Sequence, residues 1–139
     1  MNFQKSKYRK VHKPRCSRVV VDQKRVVPMY GVYALKVLAP CRITFKQLDS
    51  AKRTLKKVVK KNAFLWQNVF ADQPVTSKPA EVRMGKGKGG FLHNVALVSS
   101  GTIIFEIGGV SLTEKLAKQG MLQAAGKLGV PSKFVRYTS

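Results

Sequence analysis

Between Thr44 and Lys61 the apolar residues Leu48, Ala51, Leu55, Val58 and Val59 recur at three- and four-residue spacing, which predicts a helix with one buried stripe. Thr44 followed by Gln47 supplies a capping box at its head, and Asn62 stops it. Arg53, Lys56, Lys57 and Lys60 gather on the opposite face. A second helical pattern runs from about Leu112 to Leu128 and buries Ala117, Met121, Ala124 and Leu128. Ser111 with Glu114 reads as its capping box, Gly129 as its C-cap, and Pro131 bars continuation. Gly120 and Gly126 weaken it by up to about 1 kcal/mol each relative to alanine, unless close packing uses them.

Elsewhere the pattern is that of strands. Residues 30–38, Phe64–Phe70, Phe91–Val98, Thr102–Ile107 and Lys133–Tyr137 carry the β-branched, aromatic or alternating character of extended chain. Ser99–Thr102 reads as a turn that returns Thr102–Ile107 as the antiparallel partner of Phe91–Val98. Within FLWQNVF the sole tryptophan, Trp66, reads as a core residue rather than a base-stacking one. Between Val19 and Ala39, short apolar runs alternate with breaks at Asp22–Arg25, Pro28 and Gly31.

One stretch follows neither period. PVTSKPAEVRMGKGKGG, residues 74–90, enters through two prolines and ends in closely spaced Gly85, Gly87, Gly89 and Gly90, with Lys86 and Lys88 between them. Such glycines let backbone approach another surface closely, and the lysines are flexible donors suited to phosphate oxygens. Gly85, Gly87 and Gly90 formally satisfy the dinucleotide fingerprint G-x-G-x-x-G. That fingerprint needs a helix opening directly after the glycines; a strand follows here, and the next acid, Glu106, lies in another strand. The phosphate-loop motif G-x-x-x-x-G-K-[S/T] is absent, and no cofactor is expected.

Composition sharpens the picture. The 139 residues suffice for one domain, and 44% hydrophobic content is ordinary for a folded chain. Against 27 Lys plus Arg stand only 6 Asp plus Glu, a net charge of +21, which names a polyanion as the natural partner. Residues 1–18 hold Lys5, Lys7, Arg9, Lys10, Lys13, Arg15 and Arg18 and no acid. They read as an arm that orders on RNA, with Phe3 and Tyr8 able to stack; a disordered basic tail and a mitochondrial presequence are the competing readings. From Arg42 to Lys61 the basic residues face only Asp49, and this helix face is assigned to RNA backbone contact. Cys16 and Cys41 match no disulfide framework or zinc spacing, even with His12 and His93, so reduced, unligated thiols are expected. No apolar run reaches membrane-spanning length. The six carboxylates and two histidines form no paired or triad-like pattern; Glu81 reads as a neutraliser of Arg83 or Lys78. No enzyme is expected.

KPAEVRMGKGKG, with PVTSKP before it and FLHNVALV after it, resembles the signature of the bacterial-type large-subunit ribosomal protein sixteen family. KSKYRKVHKPRCSR, RITFKQLDSAKR, FEIGGVSL and SKFVRY resemble that family in the same chain order. The likeness is weakest over residues 19–41, where Pro40 and Cys41 stand in place of a glycine-rich turn. It implies an α+β fold, a two-layer sandwich of an antiparallel or mixed sheet with two helices on it. It further implies a basic arm, 1–18, a single domain, 19–139, and a protruding loop, 74–90. The implied function is structural: binding large-subunit rRNA, touching neighbouring large-subunit proteins, shaping the aminoacyl-tRNA site and positioning tRNA. By resemblance the tRNA-facing residues are Lys78, Arg83, Met84, Gly85, Lys86, Gly87, Lys88 and Gly89. Arg83 would grip a phosphate at two points, stack on a base, or pair with Glu81 to hold the loop. The rRNA contacts would come from the arm, from Arg42, and from Arg53, Lys56, Lys57 and Lys60. No homo-oligomer and no metal is implied. The competing reading is a free RNA-binding or RNA-chaperone protein. RCSR, KPAEVRMG and FEIGGVSL look most like mitochondrial members, and a start at the family's own N-terminus fits an organelle-encoded product; a bacterial cytoplasm or a plastid is the alternative.

Overall fold

The first helix begins where its capping box places it. In the computed structural model, which describes residues 7–14, 26–61 and 63–137, α1 spans Phe45–Val59. The Gln47 N–H donates to Thr44 Oγ1 at 3.3 Å, and Gln47 Oε1 accepts from the Thr44 N–H at 2.8 Å. Gln47 Nε2 also donates to the Leu128 carbonyl at 3.1 Å, so one side chain joins the start of α1 to the end of α2, Glu114–Leu128. Leu48, Ala51, Leu55 and Val59 are buried as the pattern requires, with Val58 half-buried beside them. The two helices pack together; a methyl group at Gly120 would sit 3.4 Å from Val58 Cγ1, ordinary van der Waals contact. Gly126 faces open space. Asn62, the expected stop of α1, lies outside the described residues; α1 ends at Val59 and is capped by Lys60, whose N–H donates to the Lys56 carbonyl.

The strands are β1, Tyr33–Val37; β2, Cys41–Thr44; β3, Phe64–Gln67; β4, Gln73–Ser77; β5, Gly90–Val98; β6, Ile103–Gly108; and β7, Ser132–Arg136. They form a four-stranded sheet in the order β3-β6-β1-β7 and a three-stranded sheet in the order β2-β5-β4, antiparallel throughout. The α+β class is as expected, with the strands divided between two sheets. Leu35, Phe105 and Ile107 of the larger sheet and Ile43, Ala96 and Val98 of the smaller share one core with both helices.

Three local expectations are corrected. The expected hairpin of Phe91–Val98 with Thr102–Ile107 does not form. Gly101 turns with φ +84°, its N–H donates to the Val37 carbonyl at 2.7 Å, and the Val37 N–H donates to the Thr102 carbonyl at 2.9 Å. The turn is thereby stitched to the end of β1, and β6 enters the other sheet between β1 and β3. Secondly, the N-cap of α2 is Thr113, without a side-chain cap bond, and the Glu114 carboxylate instead accepts from Arg136 at 2.7 Å. Thirdly, Trp66 is not a core residue. β3 is an edge strand; Leu65 turns to the core, while Trp66 lies on the other face, half-exposed and stacked on Tyr30.

Glu106 has no role assigned from sequence, yet it is fully buried in the central strand β6. Its Oε2 accepts the N–H groups of Met29, Tyr30 and Gly31 at 3.1, 2.8 and 3.0 Å, and Asn68 Nδ2 donates to Oε1. Backbone donors thus hold a buried carboxylate that lacks a cationic partner among the described residues. The segment 29–31 is pinned across the sheet by that one side chain.

Candidate nucleic-acid interface

Strand β4 departs from the sequence expectation, because Gln73, Pro74 and Ser77 obscure its period. It lies at a sheet edge, where a proline without an N–H is tolerated. Its pairing with β5 closes at Ser77 opposite Gly90, so the projecting loop is residues 78–89 rather than 74–90. The two antiparallel strands form a stem that holds the loop away from the core.

Backbone conformation explains the glycine spacing. Gly85, Lys86 and Gly87 have φ of +102°, +53° and +94°, a left-handed run in which side chains are disfavoured. Gly89 answers a close approach within the chain: an added Cβ would lie 2.4 Å from the Ser77 carbonyl oxygen. Lys78, half-buried at the stem, donates through Nζ to the Gly85 carbonyl and braces the loop from inside. Arg83, Met84, Lys86 and Lys88 are exposed, and Met84 is 101% exposed, so it contributes nothing to the fold. Among the described residues Glu81 and Arg83 form no ion pair, contrary to the ion-pair reading of Arg83.

Part of the arm is seated on the same stem. Lys7, Arg9, Lys10 and Lys13 lie in the described stretch 7–14; Lys5, Arg15 and Arg18 lie outside the described residues, as do Phe3 and Cys16. Lys10 Nζ donates to the Lys88 carbonyl at 2.9 Å, and Lys88 Nζ donates in return to the Val11 carbonyl. Arg42, on β2, donates to the Pro14 carbonyl at 2.7 Å. Arm and loop are therefore one cationic surface, with Lys88 and Arg42 holding it together. Lys86, beyond that clasp, is the loop lysine presented outward.

The third element is the exposed face of α1. Lys56, Lys57 and Lys60 are exposed, and Arg53 pairs with Asp49 at 2.8 Å across one helical turn. A well-hydrated pair of this kind is weak and leaves the guanidinium open to other anions. Lys52, Arg53 and Lys56 line a groove of about 340 Å³ together with Asp49, Phe45 and Gln67. Lys52 is absent from the sequence-based site, although its i, i+4 spacing to Lys56 puts it on the same side.

Among the described residues no three His, Cys, Asp or Glu gather as a metal site requires, and no helix is long and apolar enough to cross a membrane. A cationic stem-loop, a clasped basic arm and a cationic helix face present positive charge at three places, the arrangement of a class of protein suited to contacting a phosphate backbone at several points.

The particular family follows from comparison. Residues 3–135 match the model of the ribosomal protein L16p/L10e family. The large ribosomal subunit protein uL16 of Hamiltonella defensa subsp. Acyrthosiphon pisum (strain 5AT) is 41% identical over 133 residues, covering 96% of this chain and 94% of its own. The uL16 of Paramagnetospirillum magneticum (strain ATCC 700264 / AMB-1) is 42% identical over 131 residues, covering 94% and 92%. The chain belongs to the ribosomal protein L16p/L10e family, whose members are structural, non-enzymatic components of the ribosome.

Proposed function

We propose that this chain is a structural constituent of the large ribosomal subunit that binds its rRNA and positions tRNA at the aminoacyl site. The observation that carries the reading is the braced stem-loop, with Arg83, Met84 and Lys86 exposed at its end beyond the Lys10–Lys88 clasp. Arg83 offers two-point phosphate recognition, Lys86 a point charge, and Met84 an apolar surface for a base or sugar. The left-handed backbone of Gly85–Gly87 sets where these side chains leave the chain.

Anchoring is the work of the arm and of α1. Arg9, Lys10 and Lys13, with Lys5, Lys7, Arg15 and Arg18 by sequence, neutralise rRNA phosphates, as do Arg53, Lys56, Lys57 and Lys60 with Lys52. Arg42 contributes by seating the arm. In this organisation 1–18 is the arm and 19–139 the domain that carries the loop. The address we favour is the mitochondrial ribosome, on the resemblance of RCSR, KPAEVRMG and FEIGGVSL; the relatives above are bacterial, and organelle fractionation separates the two.

The test is to assemble subunits carrying Arg83→Ala with Lys86→Ala. Normal incorporation with impaired aminoacyl-tRNA accommodation is expected. Full translation rates from fully occupied variant subunits would refute the loop's role.

A further inference from the structure

We propose that Tyr30, Trp66 and Phe64 form a separate RNA contact, a platform on which an unpaired nucleobase stacks. The inference deepens the RNA-binding reading and rests on it, but none of its three rings belongs to the contacts assigned above. Trp66 and Phe64 lie on the edge strand β3, and Tyr30 folds over from the segment that precedes β1. Ring centroids are 6.0 Å apart for Tyr30–Trp66, inclined at 22°, and 6.0 Å apart for Phe64–Trp66, inclined at 42°. Tyr30 is 64% and Phe64 73% exposed, so most of their ring surface faces water.

The platform is built in advance of any ligand. The Tyr30 N–H is fixed on Glu106, and neighbouring Gly31 packs so closely that an added Cβ would meet the Ile107 carbonyl oxygen at 2.7 Å. The Trp66 ring lies over Gly108, where a Cβ would come within 3.3 Å of Cζ3. Rings held this way lose little freedom when a flat partner settles on them.

Charge selects the partner. Residues 26–34 and 60–70 contain no acid, exposed Lys60 and Lys61 stand four and three residues before Phe64 in the chain, and the Glu106 carboxylate is engaged by backbone N–H groups. Exposed aromatic rings on acid-free stretches of a chain of net charge +21 match a base with its phosphate rather than an apolar protein surface. Stacking of this kind tolerates any base, because each has a π-face.

Trp66 is the only tryptophan, so its emission in the intact protein reports on the platform directly. The probes are an unstructured oligouridylate of about 10 nucleotides, within the usual range of single-strand site sizes, and a blunt RNA duplex of equal phosphate count. Saturable quenching by the single strand is expected, with the duplex bound but not quenching. Phe64→Ala should fold like the parent and weaken single-strand affinity roughly tenfold, leaving duplex affinity within about twofold. Absence of quenching, equal quenching by both RNAs, or unchanged single-strand affinity in Phe64→Ala would overturn the platform. In those cases retained duplex binding leaves the wider RNA reading standing, and loss of both brings it down as well.

Discussion

Replacing Glu106 should unfold more of this protein than any surface change, because one carboxylate holds a whole segment. Alanine at 106 strips the acceptor from the N–H groups of Met29, Tyr30 and Gly31 and from the Asn68 amide. A buried donor left without a partner costs about 1–3 kcal/mol. The three N–H groups are consecutive and can regain water together if the segment lifts, so their costs do not sum fully. A loss of about 4 kcal/mol is expected for Glu106→Ala, against a total stability of about 5–15 kcal/mol for an ordinary domain. Glutamine keeps one carbonyl oxygen, able to accept two of the three N–H groups, and Asn68 can turn its own oxygen towards the new amide. Glu106→Gln should therefore lose about 2 kcal/mol, the difference between charged and neutral acceptors. Urea unfolding followed by Trp66 emission is the assay, since Trp66 stacks on Tyr30 of the pinned segment. With a slope of about 2 kcal/mol per molar, the midpoints should fall by about 2 M and 1 M. Midpoints within about 0.3 M of the parent, or equal losses for the two variants, would refute the claim that this carboxylate anchors residues 29–31.

Gly126→Ala should stabilise the protein by about 0.5–1 kcal/mol, because the site is an exposed helix interior with nothing within 4 Å; a rise of about 2–4 °C in melting temperature checks it. Gly89→Ala should open the stem of the loop, since its Cβ would fall 2.4 Å from a backbone oxygen; faster hydrogen exchange over residues 78–89 is the readout. Lys56→Ala with Lys57→Ala should lower the salt dependence of duplex RNA binding by roughly one unit of log–log slope for each phosphate no longer neutralised, measured by titration at several salt concentrations.

Local signals in the chain predict local structure well. The Thr44–Gln47 box, the apolar stripe of α1, the Gly129 cap and the Lys-Gly loop each act within a few residues, and each is present. Long-range pairings are not legible in the same way. Ser99–Thr102 looks like a hairpin turn, but what decides the partner of β6 is hydrogen bonding to Val37, more than 60 residues earlier. Glu106 is invisible as an anchor because its main donors are backbone N–H groups, which carry no side-chain signature. Charge alone makes Lys88 and Arg42 look like RNA ligands, whereas the fold turns both towards carbonyls of the arm. Strand β4 is hidden by a proline that only its edge position makes permissible.

The central claim, membership of an assembled large subunit through many simultaneous phosphate contacts, is tested most directly by sedimenting lysate through sucrose gradients at moderate and high salt, with this protein followed by mass spectrometry. Single phosphate contacts weaken steeply with added salt, while interlocked ones release slowly. Stoichiometric co-migration with large subunits at both salt concentrations is the predicted result. Release into the light fractions at high salt would contradict it and favour a free RNA-binding protein.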